Sequence, residues 1–142
     1  MNHMRSNLFA MVAVVFLSAC GDSPTGNGGG DDRVIIANPL FATGIQEIFT
    51  RTGCTASNCH GSSTQGGLGL ASASASFLDL VNVTSVGNPN GVRVVPNDAV
   101  NSYLVQRLEG TGGIRMPQGL GALDNIDMTN IMNWINTGAL NN

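Results

Sequence analysis

Cys54-Thr55-Ala56-Ser57-Asn58-Cys59-His60 sets two thiols in one short segment with an imidazole directly after the second, and Met116-Pro117 follows in a later Gly-rich stretch. Two cysteine thiols can add across the vinyl groups of a haem, and an adjacent histidine then brings a ring nitrogen to the iron. A methionine thioether from a distant loop can close the opposite face; it favours ferrous iron relative to harder donors. His60 and Met116 are therefore the expected iron ligands, and Cys54 and Cys59 the covalent anchors of one haem c. The usual spacing leaves two residues between the cysteines, whereas here there are four. Vinyl positions are fixed, so the extra residues must bulge outward, and Thr55, Ala56, Ser57 and Asn58 are small enough to do so. His3 falls in the leader, which leaves His60 as the only imidazole beyond it and excludes a bis-His site within one chain.

The same side chains have other uses. A structural zinc site needs four protein ligands, and beyond Cys54, Cys59 and His60 the remaining candidates are carboxylates. A thioredoxin-like redox pair requires Cys-x-x-Cys within a strand–helix pattern that this chain lacks. A Cys54–Cys59 disulfide is the open alternative, in which the chain is a non-haem exported interaction module. A loop methionine is often a core filler, but Pro117 restricts Met116 to an extended backbone and so aims it. Without Met116 on the metal, a five-coordinate iron would permit ligand sensing or weak peroxidase activity. Met128 and Met132 fall in the final helix and are read as packing or solvent-facing. Arg93 is a candidate to neutralise a haem propionate, against the plainer reading of an exposed solubilising charge. Tyr103 and Trp134 are read equally as core packing and as propionate hydrogen-bond donors.

Delivery is written at the start of the chain. Arg5 precedes an apolar run from Leu8 to Leu17 and then Leu17-Ser18-Ala19-Cys20, a stretch too short to span a bilayer comfortably. It resembles the processing site of bacterial lipoproteins, a resemblance that implies residues 1–19 are a signal peptide and Cys20 the lipidated first residue; an ordinary signal peptide, or a buried helix with an incidental cysteine, is the alternative. The resemblance to lipoproteins with Gly rather than Asp after the lipidated cysteine implies the outer membrane as the final site, with the protein facing the periplasm. Residues 20–37 carry Gly-Asp-Ser-Pro-Thr-Gly-Asn-Gly-Gly-Gly-Asp-Asp and read as a flexible tether of about 20 Å. Positive charge comes from six arginines against nine acidic residues, with no lysine. No basic cluster offers a nucleic-acid footprint or a grip on anionic lipid, so membrane attachment falls to the lipid.

Residues 38–142 form the expected domain. Phe41, Ile45, Ile48 and Phe49 share one helical face after Pro39 and before Gly53. Gly44 in that helix suggests a close crossing by another. Ser72 is placed to cap a short helix burying Phe77, Leu80 and Val81. Val92–Val95 reads as extended up to Pro96. Asn97 or Asp98 is expected to cap a helix carrying Val100, Tyr103, Leu104 and Leu108, and Gly110–Gly121 is a loop. Asp124 caps the last helix, with Asp127 in its first turn, a stripe of Ile131, Trp134 and Ile135, and Gly138 at its end. The expected fold is all-α: about four helices and long loops packed around a covalent haem that supplies missing core.

In order along 38–142, these residues resemble the class I mono-haem cytochrome c family. The resemblance runs through a first helix ending at the cysteines, Gly-Leu-Gly-Leu at 67–70, Arg93-Val94-Val95-Pro96, Asn101-Ser102-Tyr103-Leu104, Met116-Pro117, and Trp134-Ile135-Asn136-Thr137-Gly138-Ala139. The last of these look like cytochrome-like domains of exported bacterial lipoproteins. The resemblance implies a first and last helix crossing near the haem, and a one-electron carrier that exchanges electrons with a redox protein donor and acceptor. With both axial positions filled it is not expected to be an enzyme. The absence of lysine implies an apolar or weakly basic docking face.

Overall fold

Pro39 and the apolar positions after it begin the first helix as expected. In the computed structural model, which describes residues 32–142, the helix opens as a π-turn over Phe41–Ile45 and continues as α1 (Gln46–Arg51). The signal-peptide and lipidation readings, Cys20 included, lie outside the described residues. Thr52 closes α1 by donating its hydroxyl to the Ile48 carbonyl at 2.7 Å, and Gly53 then turns the chain at φ +80°. The orphan N–H groups at the start of this helix are met from the far end of the chain: Phe41 N–H donates to Asn142 Oδ1 at 2.9 Å and Ala42 N–H to the Asn142 carbonyl at 2.8 Å.

α2 (Ala73–Leu80) is capped by Ser72, whose hydroxyl accepts the Ala75 N–H, and it buries Ser76 and Leu80. α3 (Tyr103–Glu109) begins later than the apolar spacing suggests. Asp98 instead closes a turn by accepting the Asn101 N–H at 3.1 Å, and Val100 stays exposed. α4 (Asn125–Asn136) follows its sequence signals closely. Asp124 accepts the Asp127 N–H at 3.0 Å, and Ile131, Trp134 and Ile135 are buried. Gly138, at φ +105°, reverses the chain as Ala139 N–H donates back to the Trp134 carbonyl.

The all-α expectation is wrong. Between α2 and α3 the chain forms an antiparallel pair, β1 (Thr84–Ser85) and β2 (Asn88–Val92), with Thr84 opposite Val92 and Ser85 opposite Asn88. The domain is thus a small mixed α/β unit of four helices and a two-stranded sheet. The strands are too short and too polar to show a period-two pattern, and Pro89 is tolerated because β2 is an edge strand. Val94 extends the pairing by a parallel bridge to Val81.

The core joins the π-turn to α4. The Phe41 ring lies 4.9 Å from that of Trp134 and meets Phe77 edge-on at 5.4 Å, both within the range where aromatic pairs attract. Trp134 also donates its indole N–H to the Leu140 carbonyl at 3.0 Å, which makes it a core residue and leaves it no free donor for a propionate. Gly44 is not where the helices meet, since a Cβ there would find only Pro39 within 4 Å. The compact unit covers Asp32–Asn142, and residues read above as tether lie on α4: Ile36 N–H donates to Asn130 Oδ1, and Asn130 and Asn133 donate to the Val34 and Ile36 carbonyls.

Candidate functional site

The segment after α1 is a tight coil organised by its own backbone. Cys54 N–H donates to the Phe49 carbonyl at 2.9 Å, which fixes the first cysteine to the helix end. His60 N–H returns to the Cys54 carbonyl at 3.0 Å, so the five residues between them are looped out between anchor points. Ala56, Ser57 and Asn58 are exposed, in keeping with an outward bulge. Gly61 completes the coil by donating to the Ala56 carbonyl. A Cβ at Gly61 would come within 2.3 Å of the Thr55 carbonyl oxygen and 2.9 Å of the Ala56 one, so only glycine fits. The sequence reading passed over this residue, although a glycine directly after the histidine was visible.

Cys54, His60 and Met116, brought from two distant stretches of chain, line one cavity of ≈ 430 Å³. That volume lies within the about 300–1,000 Å³ usual for cofactor and ligand sites. Its apolar lining comes from Phe49 at the end of α1, Leu68 and Leu70 after the cysteine coil, Leu80 of α2, and Leu104 and Leu108 of α3. The hairpin contributes Ser85 and Gly87. Cys59 is half-buried beside this lining but is not part of it, and its thiol lies 3.7 Å from Asn58 Oδ1. Both Cys54 and Cys59 are free thiols. Burial pushes the Cys54 thiol up from its ordinary value, an effect partly offset by the Thr52 hydroxyl at 3.4 Å.

His60 is oriented by its second nitrogen. Nδ1 lies 3.3 Å from the Leu68 carbonyl; with the proton on Nδ1 the ring donates there and leaves the Nε2 lone pair for a metal. Met116 is held through its backbone, as its N–H donates to the Arg107 carbonyl at 2.8 Å. The Met116–Pro117 peptide is cis.

Arg93 is buried, which removes the exposed-charge reading. Its guanidinium donates to the carbonyls of Asp79 at 2.7 Å, Gly66 at 3.1 Å and Gly67 at 2.9 Å, and it lines the cavity. Its backbone is equally fixed: Arg93 N–H donates to the Val83 carbonyl, and Leu104 N–H donates to the Arg93 carbonyl. Tyr103 lines the cavity as well, with its hydroxyl donated to the Gly112 carbonyl at 3.1 Å. Arg107 is a cavity residue the sequence reading missed, because as one charged position on a short helix it gave no signal of its own.

The residues present fit a haem. An imidazole, a thioether and a thiol line one chamber together with six large apolar side chains, and its described lining includes two guanidinium groups and no Asp or Glu. Cys54 and His60 would hold the group from the chamber lining, Cys59 from the same coil beyond that lining, Met116 from the loop after α3, and Arg93 beside its carboxylates. Among the described residues no three His, Cys, Asp or Glu side chains gather as a metal-ion site, and no helix is long and apolar enough to cross a membrane. In comparison with known proteins, the chain matches no family model, no curated protein and no solved structure.

Proposed function

We propose that this protein is a one-electron carrier built on a covalently bound haem c. In this reading it belongs with the class I mono-haem cytochromes c by its residue pattern. It is exported, lipidated on Cys20, and faces the periplasm from the outer membrane. The observation that carries the proposal is the convergence of Cys54, His60 and Met116 on one chamber, although Met116 is far from the other two in sequence. Bound there, the haem iron would supply a reversible Fe(III)/Fe(II) couple.

The chain's own part is to hold, insulate and bias that couple. The cysteine coil anchors the group at one edge, and its backbone bonds hold His60 in register with Leu68. The leucines from α2, α3 and the 68–70 segment would pack against the group and lower the local dielectric on that side of it. Met116 raises the potential by favouring the ferrous state. His60 and Met116 would both be ligands to the iron, so the proposed role is transfer to and from protein redox partners rather than catalysis.

Voltammetry of the exported, haem-loaded protein tests this. A reversible one-electron wave is expected, with a potential that falls on Met116→Ala while the haem stays attached. No wave, or a wave indifferent to Met116→Ala, would contradict the carrier assignment or the methionine ligand respectively.

A further inference from the structure

Arg107 stands at the junction of the cavity's charge and its methionine loop. The side chain lines the cavity, its Nη1 lies 3.3 Å from the Tyr103 hydroxyl, and its guanidinium carbon sits 5.8 Å from the centre of that ring. Its Nε is buried with no hydrogen-bond partner, and it makes no ion pair among the described residues. A guanidinium with a buried, unmet Nε–H, in a chamber whose described lining offers no carboxylate, is placed to donate to an acceptor on whatever occupies the chamber. The other end of the same residue is already committed, since the Arg107 carbonyl accepts the Met116 N–H at 2.8 Å. Two further contacts tighten this corner. Gly110 follows at φ +88° with its Cβ position 3.1 Å from Arg115 Cβ, and Gly113 leaves room for Arg107 Nη1 at 3.5 Å.

We propose that Arg107 is a positioning residue for Met116: its guanidinium binds a carboxylate of the cavity's occupant, and this fixes the backbone carbonyl from which Met116 hangs. The inference rests on the haem reading of the cavity, where the carboxylate is a propionate. Arg93 does not share the positioning role: three of its five N–H donors go to carbonyls of the chain, and its own carbonyl accepts the Leu104 N–H rather than that of Met116. The link runs one residue wide, from anion to guanidinium to carbonyl to Met116 N–H, so charge at residue 107 sets how firmly the thioether stays on the iron.

The test is an imidazole titration of the ferric, haem-loaded protein, following loss of the weak red-edge absorption band that thioether ligation gives ferric haem. Arg107→Gln is expected to bind imidazole about tenfold more tightly than wild type, because Met116 competes less well, and Arg107→Glu more tightly still. Arg107→Lys, which keeps the charge, should stay within about threefold of wild type; it is also the comparison that survives if the glutamine protein does not accumulate. Equal imidazole affinity across the series, or a lysine variant as labile as the glutamine and glutamate ones, would overturn the proposal. So would a wild-type protein that carries haem yet lacks the band. A protein that carries no haem at all fails the cofactor reading instead, and the haem content of each sample separates the two results.

Discussion

The π-turn and α4 fill their interface with their own side chains, whereas α3, the hairpin and the cysteine coil surround a chamber they do not fill. On the first side Phe41 packs against both Trp134 and Phe77, and Asp127 accepts a hydrogen bond from Arg51 Nη2 at 2.7 Å and forms an ion pair with Arg33 Nη1 at 2.8 Å beneath the start of α4. On the second, six large apolar side chains and two arginines face ≈ 430 Å³ of cavity. One half is complete as a folded object; the other is shaped for something else. The lesson concerns where substitutions should act. Changes in the first half should cost stability whatever occupies the cavity, and changes in the second should act through the occupant.

The largest effect is expected at Trp134. Replacing it with alanine removes the ring packed against Phe41 and its bond to Leu140, and should cost about 3–5 kcal/mol in denaturant unfolding. A loss below about 1 kcal/mol would mean that the complete half is not the stable one. Asp127→Ala comes next, since it strips the carboxylate from two arginines at a buried position. About 2–3 kcal/mol of destabilisation is expected, reduced from the fully buried case because Arg33 and Arg51 are partly exposed. An unfolding midpoint within error of wild type would show that the ion pairs are idle.

Gly61→Ala sharpens the comparison from the other side. Its Cβ would collide with the carbonyls of Thr55 and Ala56, so the coil must open, at a cost of about 1–3 kcal/mol. Because that coil carries His60, the same variant should show a larger fractional loss of haem than of folded protein, measured by haem absorbance against total protein. Equal losses would separate the coil from the site.

The smallest effect is acid sensitivity at Asp124. The Asp127 N–H, and secondarily the Arg33 guanidinium, hold its carboxyl below the ordinary carboxylate range. A carboxyl depressed on folding stabilises the protein above its unfolded pKa, about 3.9, and this contribution fades as pH falls through the lower folded value. Asp124→Ala should therefore lose roughly 1 kcal/mol at neutral pH, mostly as the helix cap, and the gap to wild type should narrow as pH falls through the depressed folded value. A gap that persists unchanged in acid would mean the carboxylate charge contributes nothing.

Much of the complete half was legible in the sequence. Asp124, Gly138 and the Ile131–Trp134–Ile135 stripe announce α4, and Ser72 announces α2, because caps and helical period are local signals. The cap on the first helix was not legible, since Asn142 supplies it from the other end of the chain. The hairpin was missed because Thr84–Ser85 and Asn88–Val92 carry no alternating pattern and owe their pairing to the tertiary setting. At the site, Cys54, His60 and Met116 could be named from type and spacing, and the cavity gathers all three. Arg107 and Gly61 could not, because their importance lies in what they touch: a guanidinium beside Tyr103 and a Cβ with no room.

The most direct measurement is the mass of peptides spanning Cys54–His60 from protein exported and purified under conditions that preserve any cofactor. One haem mass carried on that segment through both Cys54 and Cys59, with a matching haem absorbance in the intact protein, is the expected result. A colourless protein whose Cys54 and Cys59 are joined to each other would contradict the account.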